Sequence, residues 1–153
     1  MYFEIITEVR ANFETVAGNF DQRLLTKVSP SFPPARLLRY DGNMPGNEVH
    51  VELNFLLFRQ VWKSKIISFQ KNEEHMVFVD EGTELPFFLS YWHHEHRVER
   101  KGQSSLIRDK VTFRTPLVIT DYLMFPAMYL QFWSRKAKYR RYFRNLVFSE
   151  GGK

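Results

Sequence analysis

Tyr91-Trp92-His93-His94-Glu95-His96-Arg97-Val98 places three of the chain's five histidines within four positions. In a β-strand successive side chains point to opposite faces. Trp92, His94, His96 and Val98 then share one face, and His93, Glu95 and Arg97 the other. A face that begins with Trp and ends with Val turns inward and takes two histidines with it. Buried imidazoles are destabilising unless they find partners. Neighbouring segments offer them at matching parity: Asp80 in Met76-Val77-Phe78-Val79-Asp80, and Asp109 in Ile107-Arg108-Asp109-Lys110-Val111. A polar cluster inside a β-rich shell is the main functional clue in the chain.

The segments around it read as strands. Tyr2–Val9 alternates Phe3, Ile5, Thr7 and Val9 against Tyr2, Glu4, Ile6 and Glu8. Asn12, a good N-cap, opens a short helix with Phe13, Val16 and Phe20 on one side. A second short helix around Asp21–Val28 ends at Ser29-Pro30, because the residue before proline is pushed out of the α region. Further strands are expected at Arg36–Tyr40, Glu48–Phe58, Val61–Gln70, His75–Glu81, Pro86–Glu99 and Ser104–Arg114. A tight turn at Arg59-Gln60 separates the second and third of these, and Trp62, Ser64 and Ile66 face inward. The connections have hairpin length, which implies an antiparallel meander.

After Pro116 the periodicity becomes helical. Phe125, Tyr129, Phe132, Tyr139, Phe143 and Val147 form one apolar stripe, interrupted by Lys136, with basic residues mostly opposite. Pro126 either kinks this helix or sits in its first turn. The fold class is therefore α+β: a curved seven-stranded antiparallel sheet wrapped around a long C-terminal helix, with two short helices between strands 1 and 2. Such a sheet cannot bury its concave face by itself, and the helix is its natural lid.

Composition narrows the function classes. The length of 153 residues fits one domain spanning the whole chain, 1–153. The 44% apolar and 25% charged content is that of an ordinary soluble globular protein. Fifteen Phe, seven Tyr and three Trp suggest either a bulky core or an aromatic-lined cavity. With no cysteine, disulfides, thiolate metal sites and a thiol nucleophile are excluded. The N-terminus has no signal-peptide pattern and no stretch is long enough to span a bilayer, so a cytoplasmic protein without stable membrane insertion is expected. The net charge of +5 gathers at Arg135, Lys136, Lys138, Arg140, Arg141 and Arg144, read as a solvated helix face. No phosphate loop, zinc-finger or helix-turn-helix spacing supports a nucleic-acid partner.

Several strings together resemble the START-like, or SRPBCC, superfamily of helix-grip proteins, which includes polyketide cyclases/dehydratases and lipid-transfer domains. They are Trp62-Lys63-Ser64-Lys65-Ile66, Phe78-Val79-Asp80-Glu81 with Pro86-Phe87, Trp92-His93-His94-Glu95-His96, and Asp109-Lys110-Val111-Thr112-Phe113 with Pro116. The likeness covers nearly the whole chain and implies a hydrophobic-ligand cavity, but no single reaction. The sequence departs from the usual pattern near Ala11, where a proline is common, and in its basic, aromatic C-terminal helix.

Three readings of Asp80, His94, His96 and Asp109 stand side by side. They form a buried structural network; or they hydrogen-bond the polar end of an apolar ligand at a cavity floor; or an Asp-oriented His acts as general base in cyclase/dehydratase-type chemistry. Trp62, Trp92, Phe125, Tyr129 and Phe132 are the expected apolar wall. The ligand expected is a hydrophobic or amphipathic small molecule: a lipid, a polyketide or an aromatic compound. No cofactor and no metal is expected, since the four polar groups have enough donors and acceptors to satisfy one another. The protein is expected to be a monomer or homodimer. A further alternative is an interaction protein acting through the basic C-terminal helix.

Overall fold

The computed structural model describes residues 1–150, without the Glu150 side chain. Its elements run β1 (Tyr2–Val9), α1 (Phe13–Gly18), α2 (Gln22–Val28), β2 (Ala35–Tyr40), β3 (Glu48–Asn54), β4 (Arg59–Lys71), β5 (His75–Glu84), β6 (Tyr91–Lys101), β7 (Ser104–Arg114) and α3 (Val118–Glu150). The seven strands form one antiparallel sheet in the order β1-β7-β6-β5-β4-β3-β2, the helix-grip arrangement. Phe3, Ile5, Thr7 and Val9 are all buried, as their parity requires. Asn12 caps α1 by accepting the Thr15 N–H, and Asp21 caps α2 through the N–H groups of Arg23 and Leu24.

Three expectations need correction. The strand expected over Glu48–Phe58 stops at Asn54, and Leu57 is 95% exposed. The reversal lies at Phe55–Phe58, not at Arg59-Gln60. Asn54 Oδ1 accepts the Leu56 N–H, Leu56 takes a left-handed φ of 70°, and the Phe55 N–H donates to the Phe58 carbonyl. Apolar alternation ran on through a turn because four hydrophobic residues happen to build it. Likewise Pro86–Ser90 forms a turn, closed by the Leu89 N–H on the Pro86 carbonyl, so β6 begins at Tyr91. β5 correspondingly runs on to Glu84.

The third correction concerns α3. The side chains that reach the core are Met128, Phe132, Tyr139 and Phe143, while Tyr129 is 37% exposed and Val147 is also exposed. At about 3.6 residues per turn, Tyr129 lies a quarter-turn away from Met128. Pro126 lies inside the helix on its exposed side.

The core divides into two apolar clusters. One gathers α1 and α2 against Phe78, Val98, Ile107, Tyr139 and Phe143. The other gathers Phe3, Trp92, Val111, Phe113, Met128 and Phe132. Along β6 the inward order is Trp92, His94, His96, Val98, and along β7 it is Ile107, Asp109, Val111. The polar groups therefore form a belt between the two clusters.

Candidate functional site

Strand register brings the belt together. Asp80 on β5 lies opposite His94 on β6, and His96 lies opposite Asp109 on β7. All four are buried, Asp109 completely. The bonds run diagonally between neighbours on the same face. His94 Nε2 donates to Asp109 Oδ1 at 3.0 Å, and His96 Nε2 donates to Asp80 Oδ2 at 3.2 Å. Asp80 Oδ1 accepts the Trp92 indole N–H at 3.1 Å. Two longer approaches close the ring: His94 Nδ1 to Asp80 Oδ2 at 3.6 Å, and His96 Nδ1 to Asp109 Oδ1 at 3.3 Å. The imidazole centroids are 3.6 Å apart, and Phe78 stacks on His96 at 4.4 Å.

Electrostatics separates the two histidines. Burial, reinforced by the neighbouring His96, pushes His94 down to about 4, so it is neutral at pH 7. Burial also opposes charge on His96, yet the pull of the adjacent Asp109 and Asp80 carboxylates outweighs burial and raises it above the ordinary imidazole value. His96 is thus the member that holds a proton near neutrality. Burial alone would raise both carboxyls, but the histidines overcome it. Asp80 falls below its usual range and Asp109 falls far below it. Burial, and then the charge of Asp109, push the Tyr139 phenol well above its ordinary value.

A cavity of about 120 Å³ lies between the concave sheet and α3. Asp80, His94 and His96 lie at its buried floor, with Trp62, Trp92 and Phe132 among its walls. Trp62 and Trp92 meet edge-to-face at 4.6 Å. Beside Trp92, a Cβ at Gly82 would crowd the Leu85 side chain and come within 3.1 Å of the Trp92 Cβ. Asp21, Leu25, Ser29, Pro30 and Asn43 form the partly exposed rim.

Of the nine residues picked from the sequence, six line this cavity: Trp62, Asp80, Trp92, His94, His96 and Phe132. Asp109 sits behind the histidines, within the network but off the cavity surface. Phe125 and Tyr129 do not reach it. They stack on each other at 6.2 Å and lean edge-on against Phe3, Phe125 two helical turns before Phe132 and Tyr129 at the edge of the buried face. Other lining residues went unmarked, notably Tyr40, Arg135 and Tyr139. Arg135 was read as part of a solvated basic run, yet its guanidinium lies 3.9 Å over the Phe132 ring. Its four-residue spacing to the buried Tyr139 was the available signal. On the outer sheet face His93 bonds Glu81 at 3.0 Å and Glu95 bonds Lys110 at 2.9 Å, a half-exposed ladder.

No protein family and no curated protein matches the sequence. Solved structures do match it in shape. Protein Ms6760 from Mycobacterium smegmatis superposes with a TM-score of 0.69 at 14% identity, covering 95% of this chain and 92% of that one. An uncharacterised protein from Bacillus thuringiensis gives 0.66 at 16% identity, covering 94% and 98%. Truncated norcoclaurine synthase from Thalictrum flavum gives 0.64 at 15% identity, covering 90% and 88%. That enzyme has also been solved in complex with dopamine and hydroxybenzaldehyde, with a TM-score of 0.60 at 17% identity, covering 90% and 84%. At these identities the likeness shows the fold alone, the helix-grip arrangement of sheet and long C-terminal helix.

Proposed function

We propose that this protein binds a small amphipathic molecule, of single aromatic ring size, in the cavity between sheet and α3. The supporting observation is the cavity itself: apolar aromatic walls, three buried polar groups on the floor, and a partly exposed rim. An apolar cavity of about 150 Å³ is large enough for benzene, so a space of about 120 Å³ suits one ring or a short chain. Typical ligand sites are larger, about 300–1,000 Å³. A lipid or polyketide therefore enters only if the cavity widens. The polar end of the ligand meets Asp80, His94 and His96. Norcoclaurine synthase, similar in fold, is solved with two one-ring compounds, which supplies suitable probes.

Turnover is the weaker reading. A general base works best with a pKa near the operating pH. His94, at about 4, is a weak base, and His96 already holds its proton between two carboxylates. A role for the basic helix as a docking face is weakened too, since Arg135, Lys138 and Arg140 engage Phe132 and the carbonyls of Ser29 and Glu8. No helix among the described residues is long and apolar enough to cross a membrane.

Calorimetric titration with 4-hydroxybenzaldehyde and with dopamine tests the reading. Saturable heat at one site, lost when Val51→Phe fills the cavity in a protein with unchanged circular dichroism, is the expected result. Heat that Val51→Phe leaves untouched places binding elsewhere and sinks the proposal.

A further inference from the structure

Asp80 Oδ2 sits 3.2 Å from His96 Nε2 and 3.6 Å from His94 Nδ1. One donor atom from each residue lies within 4.8 Å of the others. Around a metal with bonds of about 2.1 Å, two tetrahedral ligands stand about 3.4 Å apart. The two observed separations bracket that value. We propose that Asp80, His94 and His96 form a binding site for a divalent first-row transition metal at the floor of the cavity.

The surroundings match what such ligands need. A metal-bound histidine commonly gives its other ring N–H to a carboxylate, which fixes its tautomer and orientation. Asp109 Oδ1 occupies that position for both rings, 3.0 Å from His94 Nε2 and 3.3 Å from His96 Nδ1. The bond at His94 Nε2 leaves Nδ1 with a lone pair directed toward the same region as Asp80 Oδ2. Trp92 holds the other oxygen of Asp80 and thereby frees Oδ2. Each ligand thus has an outer group beside it, two of them supplied by one carboxylate, and the metal displaces the proton that His96 Nε2 otherwise gives to Asp80 Oδ2.

Self-satisfaction, the ground on which the sequence argued against a metal, is incomplete. Among the described residues Asp109 Oδ2 is buried without a hydrogen-bond partner, and His96 Nδ1, though 3.3 Å from Asp109 Oδ1, is not aligned to bond it. Two cavity-lining groups, Trp62 Nε1 and Arg135 Nε, are buried and unpartnered as well. Two histidines with one carboxylate leave coordination positions open, as in catalytic zinc and non-haem iron sites. Those positions face the cavity, where water or the polar end of a ligand completes the shell.

This inference concerns the floor of the cavity described above but does not need an organic ligand there. Chelator-treated protein is titrated with Co²⁺, followed by visible d–d absorption, and then displaced with Zn²⁺. One equivalent is expected to bind. His94→Ala abolishes binding, Asp109→Asn weakens it about 10–100-fold, and the outward variants His93→Ala and His50→Ala leave it unchanged. Since the inward variants are exposed to misfolding, the wild type supplies an independent readout by NMR. Zinc must shift the ring signals of His94 and His96 and spare those of His50, His75 and His93. No uptake, or uptake that moves only the outward histidines or survives His94→Ala, overturns the site. Metal uptake by protein that ignores both aromatic probes leaves this inference standing and removes the ligand reading; the opposite pattern does the reverse.

Discussion

Replacing Asp109 with Asn removes one negative charge from a fully buried position that faces two imidazoles at 3.0 and 3.3 Å. The protonated His96 then keeps only Asp80 as a counter-charge. Breaking a buried pair by removing one partner destabilises by about 3–5 kcal/mol. Asn still presents a carbonyl oxygen to one ring nitrogen, so the lower part of that range applies. At roughly 2–4 °C per kcal/mol for a domain near this size, about 3 kcal/mol lowers Tm by about 6–12 °C. The control is Glu95→Gln on the opposite face of β6. Glu95 pairs with Lys110 at 2.9 Å and Arg97 at 3.4 Å, but all three are partly solvated. Such pairs contribute about 0–1 kcal/mol. Thermal and urea melts of both variants, on chelator-treated protein, make the comparison. If Asp109→Asn lowers stability no more than Glu95→Gln, the buried charged belt does not exist as described.

Phe132→Ala, which removes the ring shared by Phe3, Trp92, His94 and Arg135, is expected to cost about 3–5 kcal/mol in a urea melt. Trp92→Phe keeps the bulk but deprives Asp80 of a buried donor, and the same melt should show a loss of about 1–3 kcal/mol. Leu57→Ser is expected to change stability by less than about 0.5 kcal/mol, because this residue lies in an exposed turn; a large loss would restore the longer strand. Asp121 accepts the Thr115 N–H at 2.6 Å, and that bond lowers its pKa. Its contribution is therefore present above the unfolded value of about 3.9 and lost as pH falls through the lower folded one. Melts of wild type and Asp121→Asn should differ near pH 6 and converge as the pH drops below about 3.9.

The fold was legible because period-two and helical patterns changed at clear punctuation, and because the Trp-x-His-x-His strand fixed its own inward face. Errors arose where hydrophobicity served purposes other than core. Phe55-Leu56-Leu57-Phe58 continues the apolar run of β3, yet Asn54 and the left-handed Leu56 turn the chain. On α3 the expected stripe holds at Phe132, Tyr139 and Phe143, but Tyr129 and Val147 lie at its exposed edge and Met128 takes a buried place instead. Phe125 shares the face of Phe132 but sits two turns nearer the helix start, beyond the cavity, which Arg135 and Tyr139 line at the other end. The polar network was legible in composition and parity but not in pairing. Register sets Asp80 across from His94, whereas the shorter contact of Asp80 is diagonal, to His96. Which histidine carries charge depends on that diagonal choice, so it needed coordinates.

The three tryptophans provide the most direct test of ligand binding in this cavity. Trp62 and Trp92 line it, while Trp133 is 55% exposed on the outer side of α3. Indole N–H resonances report each separately during titration with 4-hydroxybenzaldehyde. Binding at the proposed site shifts the Trp62 and Trp92 signals together, along one saturation curve, and leaves Trp133 in place. A shift confined to Trp133, or no shift at any of the three under saturating probe, contradicts the account.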